Sequence, residues 1–225
     1  MQNSTTKRKA TAGPIRNTDK TKKRLIDAVG IVISRHGYAG LSLVNIAKEA
    51  KVNMKLIYYH FGSLDNLIAI YVRSKDYWSN IPDEIISKIN NSKTVEKEMI
   101  IAIMSHQFDY LFTSPEMQKI IIWEISQKNK LMREISDERE KLGSWILKKS
   151  DSLFKNTTID FRAIEALLVS GIYYLILHAK TNGSTVCELD INQEKDRERI
   201  KNALAYLVNE IYADAGKQKH KKSKT

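Results

Sequence analysis

Residues 51–62 read Lys51-Val52-Asn53-Met54-Lys55-Leu56-Ile57-Tyr58-Tyr59-His60-Phe61-Gly62, and this stretch decides the fold. Residues 41–50, LSLVNIAKEA, come directly before it. Ser42 and Asn53 are residue types that cap helix N-termini, so the two segments predict two short helices joined by a tight turn. In the second helix Ile57 and Phe61 are four residues apart and share one face, which leaves lysine, tyrosine and histidine on the outer side. This arrangement indicates a helix-turn-helix over residues 42–61, whose second helix enters a DNA major groove.

Helical periodicity continues on both sides of this pair. Upstream, apolar residues from Leu25 to Ile33 predict a helix over 19–36, which Gly37 ends as a left-handed cap. Downstream, Ser63 is expected to cap a helix that continues towards Trp78. No alternating β-branched run and no repeat competes with this pattern, so the sequence predicts an all-α fold. The remaining helices are expected near residues 83–89, 94–112, 115–127, 129–154, 161–179 and 193–213.

The formal net charge of +11 is concentrated at the two ends of the 225-residue chain. Residues 1–24 hold eight basic residues and one acid, and residues 214–225 hold five lysines and one acid, whereas residues 25–213 are neutral in sum. We therefore predict a disordered basic arm over 1–18 and a disordered Lys-rich tail over 214–225. Such ends can attract DNA phosphates, or they can be solvated segments that only aid solubility.

Several function classes are not supported by the sequence. The single cysteine, Cys187, rules out an internal disulfide, and no spacing indicates a metal site. No nucleophile paired with a base and no glycine-rich phosphate loop is present, so we expect no catalytic residues, no cofactor and no enzyme. No apolar run reaches the ~20 residues that span a bilayer, and the N-terminus lacks a secretory signal. We expect a cytoplasmic protein without a membrane partner.

Residues 21–70 resemble the DNA-binding domain of the tetracycline-repressor (TetR) family. Many coincidences at the family's fixed offsets carry this resemblance: Ala28, Gly37-Tyr38, Ser42, Ile46-Ala47, Ala50, Val52, Tyr58, His60-Phe61, Ser63 and Leu67. The resemblance implies a three-helix helix-turn-helix DNA-binding domain over residues 19–80. It further implies a helical ligand-binding and dimerisation domain over residues 81–213.

The outer side of the helix-turn-helix holds the expected DNA contacts. Asn53, Lys55, Leu56 and Tyr59 are candidates for base edges, and Leu56 could touch a thymine methyl group. Tyr58 and His60 resemble family residues that hold the phosphate backbone, a role that fixes register without reading sequence. The full predicted DNA-binding set is Ser42, Val44, Asn53, Lys55, Leu56, Tyr58, Tyr59, His60 and Ser63.

Three positions differ from the family's usual pattern. Lys51 stands in the turn where the family usually has glycine, and a left-handed lysine costs roughly 1 kcal/mol. Lys55 also replaces a frequent glycine and adds a cation near the start of the recognition helix. Leu64 replaces a common lysine that usually reaches a phosphate.

The segment 161–179 is apolar on nearly every side, which indicates burial on every side. One face can meet its own core, and the other requires a partner. By resemblance to the family, this helix and the last one form a four-helix interface in a homodimer, although a single-chain core is the alternative. The expected interface residues are Leu168, Gly171, Ile172, Leu175, Leu204, Leu207, Val208 and Ile211.

A ligand pocket in the C-terminal domain is likewise implied by the resemblance. Candidate lining residues are His106, Tyr110, Trp123, Trp145, Tyr174 and His178, each of which could instead be ordinary core or a domain seam. Glu124, Asn129, Arg133 and Arg139 form a charged stretch that we interpret as a solvated face.

These features predict a dimeric, ligand-responsive transcriptional regulator, most often a repressor, that binds a palindromic double-stranded operator and responds to an unknown small-molecule effector. The rival is a sequence-indifferent architectural DNA-binding protein that uses the basic tails. The neutral residues 25–213 argue against it, because such a protein should spread positive charge over its DNA face.

Overall fold

The computed structural model describes the backbone of residues 14–222 and the side chains of residues 18–221. Within this part of the chain no β-strand forms, and the only β pairing is an isolated bridge between Val186 and Leu189. The all-α prediction is therefore confirmed. The helices are α1 Pro14–His36, α2 Leu43–Ala50, α3 Lys55–Phe61, α4 Leu64–Ser74, α5 Asp83–Asn91, α6 Lys97–Thr113, α7 Pro115–Ser126, α8 Lys130–Phe154, α9 Phe161–Asn182 and α10 Glu194–Lys222.

The chain divides into two compact units after Val72, earlier than the boundary we expected at residue 80. In the first unit α1 packs against α2, and both supply apolar side chains to a small core. Ile57 of α3 and Leu67 of α4 are completely buried in this unit. The core residues of the unit are Leu25, Ala28, Val29, Val32, Ile33, Ile46, Ala47, Ala50, Ile57, Phe61, Leu67, Ile68, Ala69, Tyr71 and Val72.

Three predicted N-cap residues bond amides at the starts of the short helices. Ser42 Oγ accepts a hydrogen bond from the Asn45 amide at 3.2 Å, and Ser63 Oγ accepts one from the Asn66 amide at 3.1 Å. Asn53 Oδ1 accepts from the Lys55 amide at 2.9 Å. These bonds satisfy amides that have no partner inside the helix. The cap predictions for Ser42 and Ser63 are confirmed. The residue directly before α3 is Met54, which makes no side-chain cap bond, so the Asn53 side chain acts one residue earlier than a standard N-cap.

The second unit is organised around α6, which packs against α5, α7, α9 and α10. Phe108 in the middle of α6 is completely buried. Phe154 at the end of α8 stacks on Phe161 at the start of α9, with ring centroids 4.3 Å apart. The two helices that we expected to mediate dimerisation, α9 and α10, thus also contribute to the core of their own chain.

Helix α9 is long and apolar enough, by length and composition, to cross a membrane. Core helices of other proteins pass the same test. Phe161, Ile172 and Ile176 of α9 are buried among the core residues of the second unit, whereas Leu167 and Tyr174 are exposed. The apolar composition of α9 therefore has two parts, an inner face used by its own chain and an outer face that is uncovered.

Both predicted disordered ends are partly helical. α1 begins at Pro14, because proline suits the first helical position, and the helix continues through Gly30 to His36. The predicted arm over 1–18 is thus wrong for residues 14–18, and residues 1–13 lie outside the described residues. α10 continues to Lys222, so the predicted tail is wrong for residues 214–222.

Contacts with the rest of the second unit explain the longer α10. Ala215 is buried, Gln218 accepts a hydrogen bond from the Thr158 amide at 2.9 Å, and Lys219 Nζ donates to the Ser152 carbonyl at 2.7 Å. Lysine and glutamine are also good helix formers. The prediction of a disordered tail rested on charge alone, but a basic segment can be helical when its other side packs against the protein. Residues 223–225 lie outside the described part of the chain.

Candidate nucleic-acid interface

The recognition helix α3 has one buried and one exposed side. Ile57 is 0% exposed and Phe61 is 7% exposed, so the prediction that they anchor the helix is confirmed. Tyr58 and Tyr59 are 54% and 79% exposed. Since contiguous exposed apolar side chains mark interaction sites, this surface is the main candidate for contact with a partner.

The predicted base-reading residues lie at the start of the same surface. Asn53 and Lys55 are exposed, and Leu56 is half-buried. Asn53 uses its Oδ1 atom to cap α3, which leaves its Nδ2 group as a donor. Met54, which sequence reasoning missed, is 44% exposed and lies four residues before Tyr58. Its helical spacing from Tyr58 was the available signal, because residues four apart share a face.

The predicted phosphate contacts surround α3. His60 is half-buried, and its ring meets the Tyr59 ring edge-on at 4.8 Å. Val44, on the outer side of α2, is 61% exposed. Ser42 and Ser63 lie at the N-termini of α2 and α4, where free amides favour anions. Asp65 in the first turn of α4 weakens that site, because its carboxylate competes for the same helix end.

The turn between α2 and α3 is a Schellman motif. The Lys51 amide donates to the Lys48 carbonyl at 3.1 Å, and the Val52 amide donates to the Ala47 carbonyl at 3.0 Å. Lys51 has φ 52° and ψ 48°, in the left-handed region that favours glycine. The chain therefore makes the usual turn with an unusual residue.

The charge of this part of the chain suits DNA. Between Thr18 and Val72 there are eight lysine and arginine residues and four acids. Lys51 and Lys55 add positive charge beside the exposed tyrosines. A cationic surface with exposed tyrosine and asparagine side chains, presented by a short helix behind a tight turn, matches what major-groove recognition requires.

Comparisons with known proteins agree with this geometry. The profile of the family described as bacterial regulatory proteins, tetR family, matches residues 25–69. The HTH-type transcriptional repressor SCO4008 of Streptomyces coelicolor is 29% identical over 111 residues, which are 48% of this chain and 52% of SCO4008. Residues 25–69 therefore form a DNA-binding domain of the tetR family type.

Two longer matches cover most of this chain. IcaR of Staphylococcus aureus, the HTH-type negative transcriptional regulator of the biofilm operon icaADBC, is 25% identical over 195 residues, which are 84% of this chain and 97% of IcaR. The crystal structure of a TetR family transcription regulator from Marinobacter aquaeolei VT8 superposes with a TM-score of 0.58 at 15% identity, covering 90% of this chain and 98% of that one. The structural match shows the fold alone, whereas the match to SCO4008 spans only about half of that protein's length.

The predicted pocket residues lie in different surroundings. His106 and Tyr110 both contact the buried Tyr77, with ring centroids 5.6 Å and 5.9 Å away. Trp123 is 5% exposed. These three residues point into the second unit, and their role in a ligand pocket stays a prediction.

The other three pocket candidates lie nearer the surface. Trp145 is 37% exposed and Tyr174 is 61% exposed, because both lie on outward faces of their helices. Their assignment to an interior pocket is therefore wrong for this structure. His178 is half-buried and stacks against Tyr174 at 5.5 Å.

A buried ionic cluster lies close to the interior aromatic residues. Arg139 of α8 donates from Nε to Asp76 and from Nη1 to Glu124, and its side chain is only 11% exposed. Burial by itself lowers the pKa of Arg139, but the two carboxylates outweigh this effect and raise the pKa above its usual value. The interpretation of this stretch as a solvated face is wrong for Glu124 and Arg139, whereas Arg133 is exposed.

The predicted dimer residues divide between the core and the surface. Ile172 and Val208 are 1% and 0% exposed within one chain, which corrects their assignment to a partner-facing surface. Four others are half-buried and pack against the same core: Leu168, Leu175, Leu204 and Ile211. Gly171 is half-buried and Leu207 is 42% exposed.

The uncovered apolar face is displaced by one residue from the predicted one. On α9 it consists of Leu167, Ser170, Gly171 and Tyr174, which follow helical spacing. Leu167 is 74% exposed, and Tyr206 of α10 is 64% exposed. We call these five residues together with Leu207 the outer α9–α10 face.

Proposed function

We propose that this chain is a homodimeric transcriptional repressor that releases its operator when a small-molecule effector binds. The observation that carries the proposal is the exposed surface of α3, with Lys55, Tyr58 and Tyr59 outward and Ile57 and Phe61 anchored inward. The relatives SCO4008 and IcaR are named as a repressor and a negative regulator, which supports repression rather than activation. We place its action in the cytoplasm, where the DNA is.

Homodimerisation is supported by the outer α9–α10 face. Exposed apolar patches that are contiguous mark interaction sites more often than free surface. A two-fold dimer presents the same patch on both subunits and inserts one recognition helix into each half of a palindromic operator. The two half-sites would then lie about 34–36 Å apart, one turn of DNA.

Effector binding is assigned to the second unit. Its interior combines the aromatic residues His106, Tyr110 and Trp123 with the buried Arg139 cluster, and buried charges in a helical core are candidates for ligand recognition. A coupling free energy of roughly 1–3 kcal/mol between effector and operator would change operator affinity about 5- to 150-fold. No cofactor and no catalytic step is required for this cycle.

The test begins with selection of duplexes from a random pool by the full chain at near-physiological salt. We expect an enriched palindrome, bound far more tightly than a scrambled duplex of equal length. Lys55→Ala combined with Tyr59→Ala should remove this preference while leaving the helical circular dichroism unchanged, because both side chains are exposed. A pool without enrichment, or equal binding to scrambled DNA, would instead favour the architectural alternative.

A further inference from the structure

Arg139 is an unusual buried group because its hydrogen bonds are incomplete. Its Nε and Nη1 atoms bond Asp76 and Glu124, but the buried Nη2 atom has no hydrogen-bond partner. An unpaired nitrogen on a buried cation is costly. The guanidinium therefore has one donor free for an acceptor that is not part of the chain.

The two carboxylates that hold Arg139 differ in accessibility. The side chain of Asp76 is 6% exposed, and its Oδ1 atom also caps the short 3-10 turn Tyr77–Ser79. The side chain of Glu124 is 23% exposed. Glu124 also lines an open groove of about 920 Å³ where α7 meets α8. Glu124 is therefore the carboxylate that can leave Arg139 without dismantling another structural element.

The groove itself suits an organic anion. Three cations line it: Lys128, Lys130 and Arg133. Lys130 and Arg133 also pair with Glu134 and Asp137 of the same helix, so Lys128 contributes most of the rim's excess positive charge. Ile125, which is 72% exposed, and the Met132 side chain supply apolar wall. A basic rim attracts negative charge, and the apolar wall can cover a hydrocarbon body.

We propose that the effector is an organic carboxylate with an apolar body, and that its carboxylate replaces Glu124 on Arg139. The incoming carboxylate accepts hydrogen bonds from both Nη1 and Nη2, which is the fork geometry that arginine favours. Asp76 keeps its bond to Nε, and Glu124 turns into the groove. The buried cation keeps two carboxylates, and the displaced Glu124 carboxylate, which is already 23% exposed, is solvated in the open groove.

This inference rests on the proposed function only in calling the ligand an effector, because binding of the ligand can be measured without DNA. Isothermal titration of the full chain uses three ligands with the same ten-carbon body: decanoate, decylamine and decanol. We expect decanoate to bind and the other two to bind at least about 10-fold more weakly, since each lacks the acceptor that arginine pairs with in a fork.

Two variants of the carboxylates sharpen the test. Glu124→Gln removes the charge of the competing group, so decanoate should bind about 10-fold more tightly. The matched control is Glu138→Gln, on the same helix as Arg139, which removes an exposed carboxylate paired with Arg73 and should leave decanoate affinity unchanged. Arg139→Lys should weaken decanoate binding, and because this variant can fail to fold, the Glu124→Gln result decides the case.

The outcomes separate the two proposals. If decylamine or decanol binds as tightly as decanoate, if decanoate does not bind up to millimolar concentration, or if Glu124→Gln leaves its affinity unchanged, the carboxylate exchange is wrong. A sequence-specific complex with the selected duplex would still uphold the regulator in each of those cases. If decanoate binds but no duplex is selected, the regulator fails and the carboxylate site stands.

Discussion

Arg24 of α1 is expected to hold the turn of the helix-turn-helix in place. Its Nη2 atom donates to the Lys51 carbonyl at 3.0 Å and also to the Ala50 carbonyl. Both carbonyls lie at the end of α2, where no amide of the helix can reach them. Lys51 occupies the left-handed conformation that glycine usually provides. The Arg24 guanidinium therefore stabilises a turn whose left-handed conformation is unfavourable for Lys51.

The magnitude follows from the two bonds. Hydrogen bonds that involve a charged group contribute about 1.5–3 kcal/mol when buried. Because Arg24 is exposed, we expect a smaller effect: Arg24→Gln should lower the free energy of opening the turn by about 1–2 kcal/mol. Arg35→Gln is the matched control, because it removes another arginine of α1. Its ion pair with Glu49, at 2.9 Å, is 62% and 28% exposed, and such pairs contribute about 0–1 kcal/mol.

Substitution of Lys51 separates backbone strain from charge. Lys51→Gly and Lys51→Ala remove the same charge, but only glycine adopts the left-handed conformation without a penalty of roughly 1–2 kcal/mol. Lys51→Gly should therefore restore much of the stability lost in Arg24→Gln, whereas Lys51→Ala should not.

Native-state hydrogen exchange of the Val52 amide is the appropriate assay, because a chain with two units does not unfold in two states. We expect the Val52 amide, which bonds the Ala47 carbonyl at 3.0 Å, to exchange roughly 5- to 30-fold faster in Arg24→Gln. The reasoning is refuted if the Val52 amide exchanges at the same rate in Arg24→Gln and Arg35→Gln. It is also refuted if Lys51→Gly and Lys51→Ala restore the protection lost in Arg24→Gln equally well.

Three further outcomes are expected. Tyr58→Phe should lower affinity for selected and scrambled duplexes by a similar factor in a gel-shift titration, because a phosphate contact carries no sequence information; a loss confined to the selected duplex would contradict this role. Leu167→Glu should make the protein monomeric in sedimentation experiments without loss of helicity, since Leu167 is 74% exposed, and a variant that stays dimeric would exclude the outer α9–α10 face. Burial raises the pKa of Glu165 to about 7, above its ordinary 4.5, so the neutral form is favoured in the folded chain and the free energy of unfolding should fall as pH rises from about 4.5 to 7. Glu165→Gln should remove that part of the pH dependence in urea unfolding, and an unchanged slope would show that Glu165 is not its source.

The helix-turn-helix was predictable because its information is local. Ser42, Asn53 and Ser63 each cap a helix that begins within two residues, and Ile57 and Phe61 lie on one face through their spacing alone. Met54 was missed because it directly precedes α3, although its spacing from Tyr58 was a local signal that the two share a face.

The second unit was less predictable because its decisive contacts are distant in sequence. Asp76, Glu124 and Arg139 meet across three segments, and no pattern in α8 distinguishes Arg139 from the exposed Arg133. Helix α9 raises a different difficulty. When a helix has apolar residues on every side, periodicity cannot tell which side packs against its own core. The predicted partner-facing side of α9 is therefore one residue away from the exposed Leu167 and Tyr174.

Asn53 limits what the recognition helix can read. A full asparagine contact with adenine uses both the amide oxygen and the amide nitrogen. The Oδ1 atom of Asn53 already accepts the Lys55 amide at 2.9 Å, and breaking that bond would release the first turn of α3. Asn53 can therefore donate from Nδ2 to an acceptor, which guanine, adenine and thymine all offer in the major groove. Discrimination among those bases must come from neighbouring side chains, so Lys55, which favours guanine, and Tyr59 should set the operator sequence more strongly than Asn53.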